Sequence, residues 1–433
     1  MPANEAATHA PFPAPNTRLK ACRSCGSDDL ALVLDLGLQP IANALVEPGD
    51  LGKEQPRFPL ELILCRSCSL CQVSETIPPE TLFGNDYPYF SSFIPALLDH
   101  SRAHAEALIR EFHLGPDHLV VEVASNDGYL LQAFARQGVP VLGIDPAKGP
   151  ADAARARGIP TVHAFFNAEL AASLAAQGKR ASVILANNVL AHVENINDFV
   201  EGFATLLDHD GIAEFEFPYV RELIDRSAFD TIYHEHVFYY SLTALEPLFE
   251  RQGLYLNDAL PLDIHGGSLR LRVSHSADKS LRLARMMAEE RAIGLDSPRA
   301  YESFAARVEA IRDQLRGMLA DIAAAGGRIV AYGAAAKGAT LLNYADLPAG
   351  LISFVVDRNP HKVGKYMPGV MLPIRDVEAL QSSPPTHLLI LPWNFADEIM
   401  AQQQALADGG CTFLVPIPYP QAISPSSPSQ VRT

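Results

Sequence analysis

HLVVEVASNDGYLLQAFARQG, His118–Gly138, opens with an apolar, β-branched run, turns through small polar residues, and then repeats apolar side chains at helical spacing. This reads as strand, loop and helix. VPVLGIDP (139–146) follows as a second short buried strand ending on Asp145. ASVILANNVLAHV (181–193) and GIAEFEFPYV (211–220) supply two more strands, the first leading into a helix at ENINDFVEGFATLL (194–207). The alternation predicts a doubly wound parallel sheet with its ligand at the carboxyl ends of the strands.

The loop after the first strand constrains that ligand. Ala124, Ser125, Asn126, Asp127 and Gly128 stand where a pyrophosphate binder needs a three-glycine turn, and Glu122 adds a carboxylate that would repel an anionic dinucleotide. S-adenosylmethionine fits better, because it carries a sulfonium and an ammonium group and no phosphate. Asp145, at the end of the second strand, suits a pair of ribose hydroxyls. An α/β core without a ligand is the alternative.

Five of the six cysteines lie between Cys22 and Cys71, as CRSC and then CRSCSLC. Thiolates two residues apart on a tight turn can bind one tetrahedral cation, and two such pairs close a four-sulfur shell with no position left for water. This predicts a structural zinc site rather than a catalytic one. Cys22 and Cys25 form the first pair; the second is Cys65 with Cys68 or Cys68 with Cys71.

The C-terminal third repeats the α/β pattern after a long helix through AYESFAARVEAIRDQLRGMLADIAAAG (300–326). GGRIVAYGAAAKGATLLNY (326–344) is strand, small-residue turn and helix, and LISFVVDRNP, HLLILPWNF and CTFLVPIP are further strands. Gly333, Ala334 and Ala335 with Asp357 would suit NAD and an oxidoreductase. Lys337 at the start of the helix suits a sugar nucleotide's diphosphate equally well. The divisions expected are a zinc module over 18–82, a methyltransferase domain over 83–245, connecting strands and a long helix over 246–320, and a Rossmann-like substrate-binding domain over 321–416. The first 17 residues and 417–433 are rich in Ala, Pro and Ser and are expected to be disordered.

Lys plus Arg number 34 against 50 Asp plus Glu, a formal charge of -16, which argues against a nucleic-acid partner. No apolar run approaches the roughly 20 residues of a membrane helix, and the N-terminus lacks the apolar centre of a signal peptide. A cytoplasmic protein without a membrane partner is expected.

YHEHVFYYS, Tyr233–Ser241, sets two histidines around a glutamate among four aromatic rings. Neutral histidine takes a proton near pH 7, and in an extended or turn conformation His234 and His236 point to opposite sides. A His-x-His metal site and an aromatic core corner are the competing readings.

Read together, EVASNDGYLL, NNVLAHV, YHEHVFYYS and HGGSLR, behind a four-cysteine module, resemble the S-adenosylmethionine-dependent sugar C-3'-methyltransferases. The resemblance covers about Leu19 to Pro416. It implies an N-terminal zinc module, a central methyltransferase domain and a C-terminal α/β domain. The family methylates C-3 of a 4-keto-6-deoxy sugar on a nucleoside diphosphate, commonly dTDP. It implies His236 as general base with Tyr233, Glu235, His192 and Tyr87 around it. The cofactor set is Glu122, Ala124, Asn126, Asp127, Gly128, Asp145 and Asn187; the substrate set is His265, Gly266, Lys337 and Asn343. Zinc falls to Cys22, Cys25, Cys65 and Cys68, and the chain is expected to be a monomer. A non-catalytic nucleotide-sugar-binding protein remains the third class of reading.

Overall fold

A computed structural model of the chain describes residues 18–78, 92, 95–264 and 266–424. Tyr87 and His265 lie outside them, as do the first 17 residues and everything beyond 424.

The quoted stretch forms β4 (Val120–Val123), a tight loop, and a short helix α2 (Leu131–Ala135), preceded by the long helix α1 (Pro95–Phe112). β4 is buried along its whole length, as a central parallel strand covered on both faces must be. Around it run β5 (Val141–Asp145), β6 (Thr161–His163), β7 (Ala181–Asn187) and β8 (Leu207–Pro218), parallel in the order β8-β7-β4-β5-β6. The chain reverses between β4 and β7, which opens a crevice at their carboxyl ends.

β10 (Tyr255–Leu262) and β11 (Ser268–Ser274) correct the expected boundary at residue 245. They do not merely connect domains: β11 pairs antiparallel with β8 and β10 with β11, making a seven-stranded sheet. Cross-strand charge pairs hold this edge, with Arg270 facing Glu216 and Arg272 facing Glu214 in register. Gly266 and Gly267 turn between the two strands at φ of +88° and +111°, and a Cβ on Gly267 would sit 2.7 Å from the Glu222 side chain.

The N-terminal sheet begins with β1 (Leu30–Pro40), β2 (Arg57–Cys65) and β3 (Cys71–Val73), all antiparallel. Its fourth strand comes from far along the chain. β9 (Phe238–Tyr239), inside the YHEHVFYYS segment, pairs with β3, with Cys71 opposite Tyr239.

After helix α3 (Leu281–Ile293) and the long helix α4 (Pro298–Ala324), the C-terminal sheet contains β12 (Ile329–Tyr332), β13 (Ile352–Val356), β14 (Ile374–Arg375), β15 (His387–Ile390) and β16 (Thr412–Val415), all parallel. Helix α5 (Ala336–Ala345) follows β12. The tail expected to be disordered from 417 instead adds β17 (Gln421–Ile423) antiparallel to β16, because Ile423 has a core to pack against. Among the described residues no helix is long and apolar enough to cross a membrane.

Candidate active site

Four sulfurs define the zinc site. The ligand atoms of Cys22, Cys25, Cys65 and Cys68 lie within 4.8 Å of one another, with Cys22 and Cys68 at 3.6 Å and Cys25 and Cys65 at 3.6 Å. A tetrahedral ion with Zn–S bonds of ~2.3 Å needs sulfurs about 3.8 Å apart, so the set fits zinc with no place for a fifth ligand. The open choice of second pair is settled: Cys71 is fully buried in β3, outside the cluster. Gln72 donates to Cys22 Sγ at 3.2 Å, and Asn197 of the central domain donates to the carbonyls of Arg23 and Ser24 in the first cysteine turn.

At the carboxyl end of β4 the loop takes left-handed backbone at Ala124, Asn126 and Gly128, with φ of +57°, +50° and +74°. Asp145 makes this possible. One carboxylate oxygen accepts from Asn126 N and the other from Ala147 N, both at 2.8 Å, so its first task is to hold the loop. Asp127 is buried and paired with Arg157 at 2.7 Å. Glu122 Oε2, Asp127 Oδ1 and Asn187 Oδ1 are buried acceptors without a hydrogen-bond partner among the described residues. Burial, then the charges of Asp145, Asp127 and Glu216, pushes the Glu122 carboxyl well above its ordinary range. Three unpartnered acceptors, with a carboxylate that gains from a nearby cation, match S-adenosylmethionine, which offers an ammonium, a sulfonium and ribose hydroxyls. They do not match a pyrophosphate.

The YHEHVFYYS segment is held by the N-terminal and central parts of the protein, and the residue just before it, Ile232, by the C-terminal part. Val237 N donates to Ala191 O at 2.7 Å, Val73 N donates to Val237 O at 2.9 Å, and Thr340 of α5 donates to Ile232 O at 3.3 Å. His234 turns away from the crevice: its Nε2 bonds the Pro59 carbonyl at 3.1 Å, its ring stacks edge-on against Phe58, and burial pulls its pKa down to about 4. His236 turns the other way, because Tyr233–His236 is a turn closed by His236 N donating to Tyr233 O at 2.9 Å. Its Nδ1 meets the Thr231 carbonyl at 3.1 Å, and since a carbonyl only accepts, Nδ1 carries the proton. Nε2 is then the basic nitrogen, and it accepts from the Tyr233 hydroxyl at 3.0 Å.

His192 repeats the arrangement, donating Nδ1–H to the Glu235 carbonyl at 2.7 Å, and its ring centroid stands 4.8 Å from that of His236. Burial, then the neighbouring His192, holds His236 well below its ordinary pKa; burial lowers His192 as well. Both rings are therefore neutral near pH 7. The Glu235 carboxylate lies on Asn43, at 2.5 Å from Nδ2, and burial raises its pKa to about 7 against that bond.

Near His236, Lys337 stands with three residues that sequence reasoning missed, Asp230, Trp393 and Asn394. Trp393 donates Nε1–H to Asp230 Oδ2 at 2.8 Å, and Lys337 sits 5.2 Å over the Trp393 ring with its ammonium on Asn394 Oδ1 at 2.8 Å. Burial raises the Asp230 pKa to about 6, with Lys337 and Trp393 opposing. Asp230 carried a signal of its own, a lone carboxylate in an apolar stretch next to the histidines; Trp393 and Asn394 had none. Asn343 is placed differently: both hydrogens of its amide go to the backbone carbonyls of Ala339 and Pro368, tying α5 to the following loop. In the C-terminal glycine turn Asp357 accepts from Ala334 N and Asn359 N and is faced by Lys362, so it holds the loop as Asp145 does.

Comparison with known proteins finds three family matches along the chain. A zinc binding domain family matches residues 22–83, a methyltransferase domain family 98–258, and a C-methyltransferase C-terminal domain family 263–418. The C-methyltransferase NovU of Streptomyces niveus is 36% identical over 409 residues, covering 94% of this chain and 97% of NovU. A ubiquinone biosynthesis O-methyltransferase of Chelativorans sp. (strain BNC1) is 31% identical over 94 residues, covering 22% of this chain and 37% of its own. Among solved structures, the magnesium protoporphyrin IX methyltransferase of Synechocystis PCC 6803 is 15% identical, covers 41% of this chain and 79% of its own, and has a TM-score of 0.33, too small a likeness to weigh. With an end-to-end relative at that identity and all three family matches in order, this chain belongs to the C-methyltransferases that join a zinc-binding module, a methyltransferase domain and a C-methyltransferase C-terminal domain.

Proposed function

We propose that the enzyme methylates C-3 of a 4-keto-6-deoxy sugar carried on a nucleoside diphosphate, dTDP being the expected carrier, through an enolate formed by His236. The observation that carries this reading is the pair of neutral histidines with fixed tautomers beside a tyrosine hydroxyl and a buried carboxylate.

A hydrogen on carbon beside a ketone is weakly acidic, so its removal needs a placed base and a donor for the enolate oxygen. Thr231 fixes the proton on His236 Nδ1 and leaves Nε2 to accept. Tyr233 holds that nitrogen until substrate arrives; turning its hydroxyl to the keto oxygen uncovers the base and supplies the donor together. Buried surroundings keep both imidazoles unprotonated. S-adenosylmethionine supplies an electrophilic methyl, and Glu122, Asp127, Asn187 and the loop held by Asp145 would hold it at the carboxyl ends of β4 and β7. Glu235 takes a sugar hydroxyl rather than tuning a histidine, since Thr231 and its own main-chain carbonyl engage the Nδ1 atoms and its carboxylate lies on Asn43. Lys337, at the start of α5, faces the diphosphate.

The test is incubation of the enzyme and S-adenosylmethionine with a panel of nucleotide-linked 4-keto sugars, reading mass gain by mass spectrometry and position by NMR. A gain of one methyl at C-3 is expected. Methylation on oxygen, or no turnover on any keto sugar, overturns the reading.

A further inference from the structure

Glu235 takes its partner from another part of the chain. Its side chain is 7% exposed, yet its donor, Asn43, is an exposed residue of the N-terminal module 192 positions earlier. Beyond the 2.5 Å bond from Nδ2, the Asn43 main-chain amide also favours the charged carboxylate. The backbone around Asn43 is preset at both ends. Ile41 and Ala42 are buried, Ala44 N and Leu45 N close a turn onto Ile41 O and Asn43 O, and Val46 exchanges two 2.9 Å bonds with Tyr366 of the C-terminal domain. An exposed side chain on so fixed a turn can be aimed without itself being part of the core.

Glu235 needs such a hold. Burial makes ionisation costly, and the titratable groups around it are His192 on its carbonyl, Tyr239 of β9, and the flanking His234 and His236. The two Asn43 donors are what favours its charged form. A charged, aimed carboxylate accepts a hydroxyl; a protonated one is free to turn and donates instead.

We propose that Asn43, supplied by the zinc-binding module, is a positioning residue for methyl transfer: it holds the Glu235 carboxylate directed at a hydroxyl of the bound sugar. This rests on the reading of the substrate given above. The module thus has a part in substrate recognition as well as in holding the fold.

The test compares wild-type enzyme with Asn43→Ala and Asn43→Asp on the best nucleotide keto sugar across pH. Loss of a hydrogen bond to a charged group should lower kcat/KM roughly 10- to 100-fold, mainly by raising KM. Since Glu235 already ionises late and would ionise later, the acid limb of kcat/KM should move to higher pH, further in Asn43→Asp. Asn43→Gln, which keeps an amide donor, should recover part of the loss. One zinc per chain and unchanged S-adenosylhomocysteine binding are expected throughout. Wild-type kcat/KM and an unmoved limb in Asn43→Ala overturn the inference, and so does loss of zinc, which would make Asn43 a residue of the fold alone. An inactive wild type would instead remove the substrate reading.

Discussion

The imidazoles of His192 and His236 stand 4.8 Å apart, and each donates Nδ1–H to a backbone carbonyl, His192 to Glu235 and His236 to Thr231. Only one can be the base without the other, because two imidazolium ions at that separation repel. His236 has Tyr233 on its second nitrogen. In heavy water with S-adenosylhomocysteine bound, wild-type enzyme should exchange the hydrogen beside the ketone. His236→Gln should cut exchange and methylation at least ~100-fold, the lower range for a general base, with substrate binding kept. Wild-type exchange in that variant would exclude the assignment.

The metal site makes a prediction that separates its five neighbouring cysteines. Cys25→Ser should lose zinc and solubility together, whereas Cys71→Ala should keep one zinc per chain, since Cys71 lies outside the cluster. Elemental analysis of the two purified variants decides it.

Asp145 holds two backbone amides with its two oxygens. Asparagine can accept at only one of them, so Asp145→Asn should weaken S-adenosylhomocysteine binding by about tenfold or more through a loosened loop. Calorimetry showing undiminished affinity would mean that the loop holds its shape unaided.

Lys337 carries its charge beside Asp230, Trp393 and Asn394. With the diphosphate as its partner, Lys337→Met should raise KM for the nucleotide sugar by roughly 10- to 100-fold while S-adenosylhomocysteine binding stays unchanged. A fall in kcat at constant KM would place Lys337 at the reacting carbons instead.

His234 sets a pH dependence of stability. Its folded pKa of about 4 lies below the unfolded value near 6.5, so between these limits the unfolded chain binds a proton that the folded chain refuses. Stability should therefore fall as pH drops from about 6.5 toward about 4, by at most ~1.4 kcal/mol per pH unit from this group. Denaturant titrations of wild type and His234→Phe should show a shallower fall in the variant, although its midpoint at pH 7 also drops with the bond to Pro59.

Much of this was readable before any coordinates, for local reasons. β4, its loop and α2 follow from periodicity within one short stretch, whereas the opposed directions of His234 and His236 come from a turn over Tyr233–His236 that precedes β9. What escaped depends on distant partners. Two residues of β9 are too few to mark a strand, and nothing local says that they pair with β3. The turn of β11 back onto β8 is likewise a matter of tertiary register, and the choice of Cys68 with Cys65 over Cys71 required knowing which side chains leave the sheet. Asn43 and Trp393 look ordinary in sequence because their meaning lies in Glu235 and Asp230.

The pairing of β9 with β3 also has a bearing on the order in which the protein comes into being. During synthesis the cysteine turns and the first three strands leave the ribosome long before Phe238 and Tyr239 are joined to the chain. A nascent chain at that stage can take up its metal, but the edge of β3 is still open and the segment bearing His236 does not yet exist. Until β9 arrives to close that edge the proposed base is missing too, so a chain truncated before Phe238 is expected to lack activity and to be exposed along one strand to pairing with its neighbours.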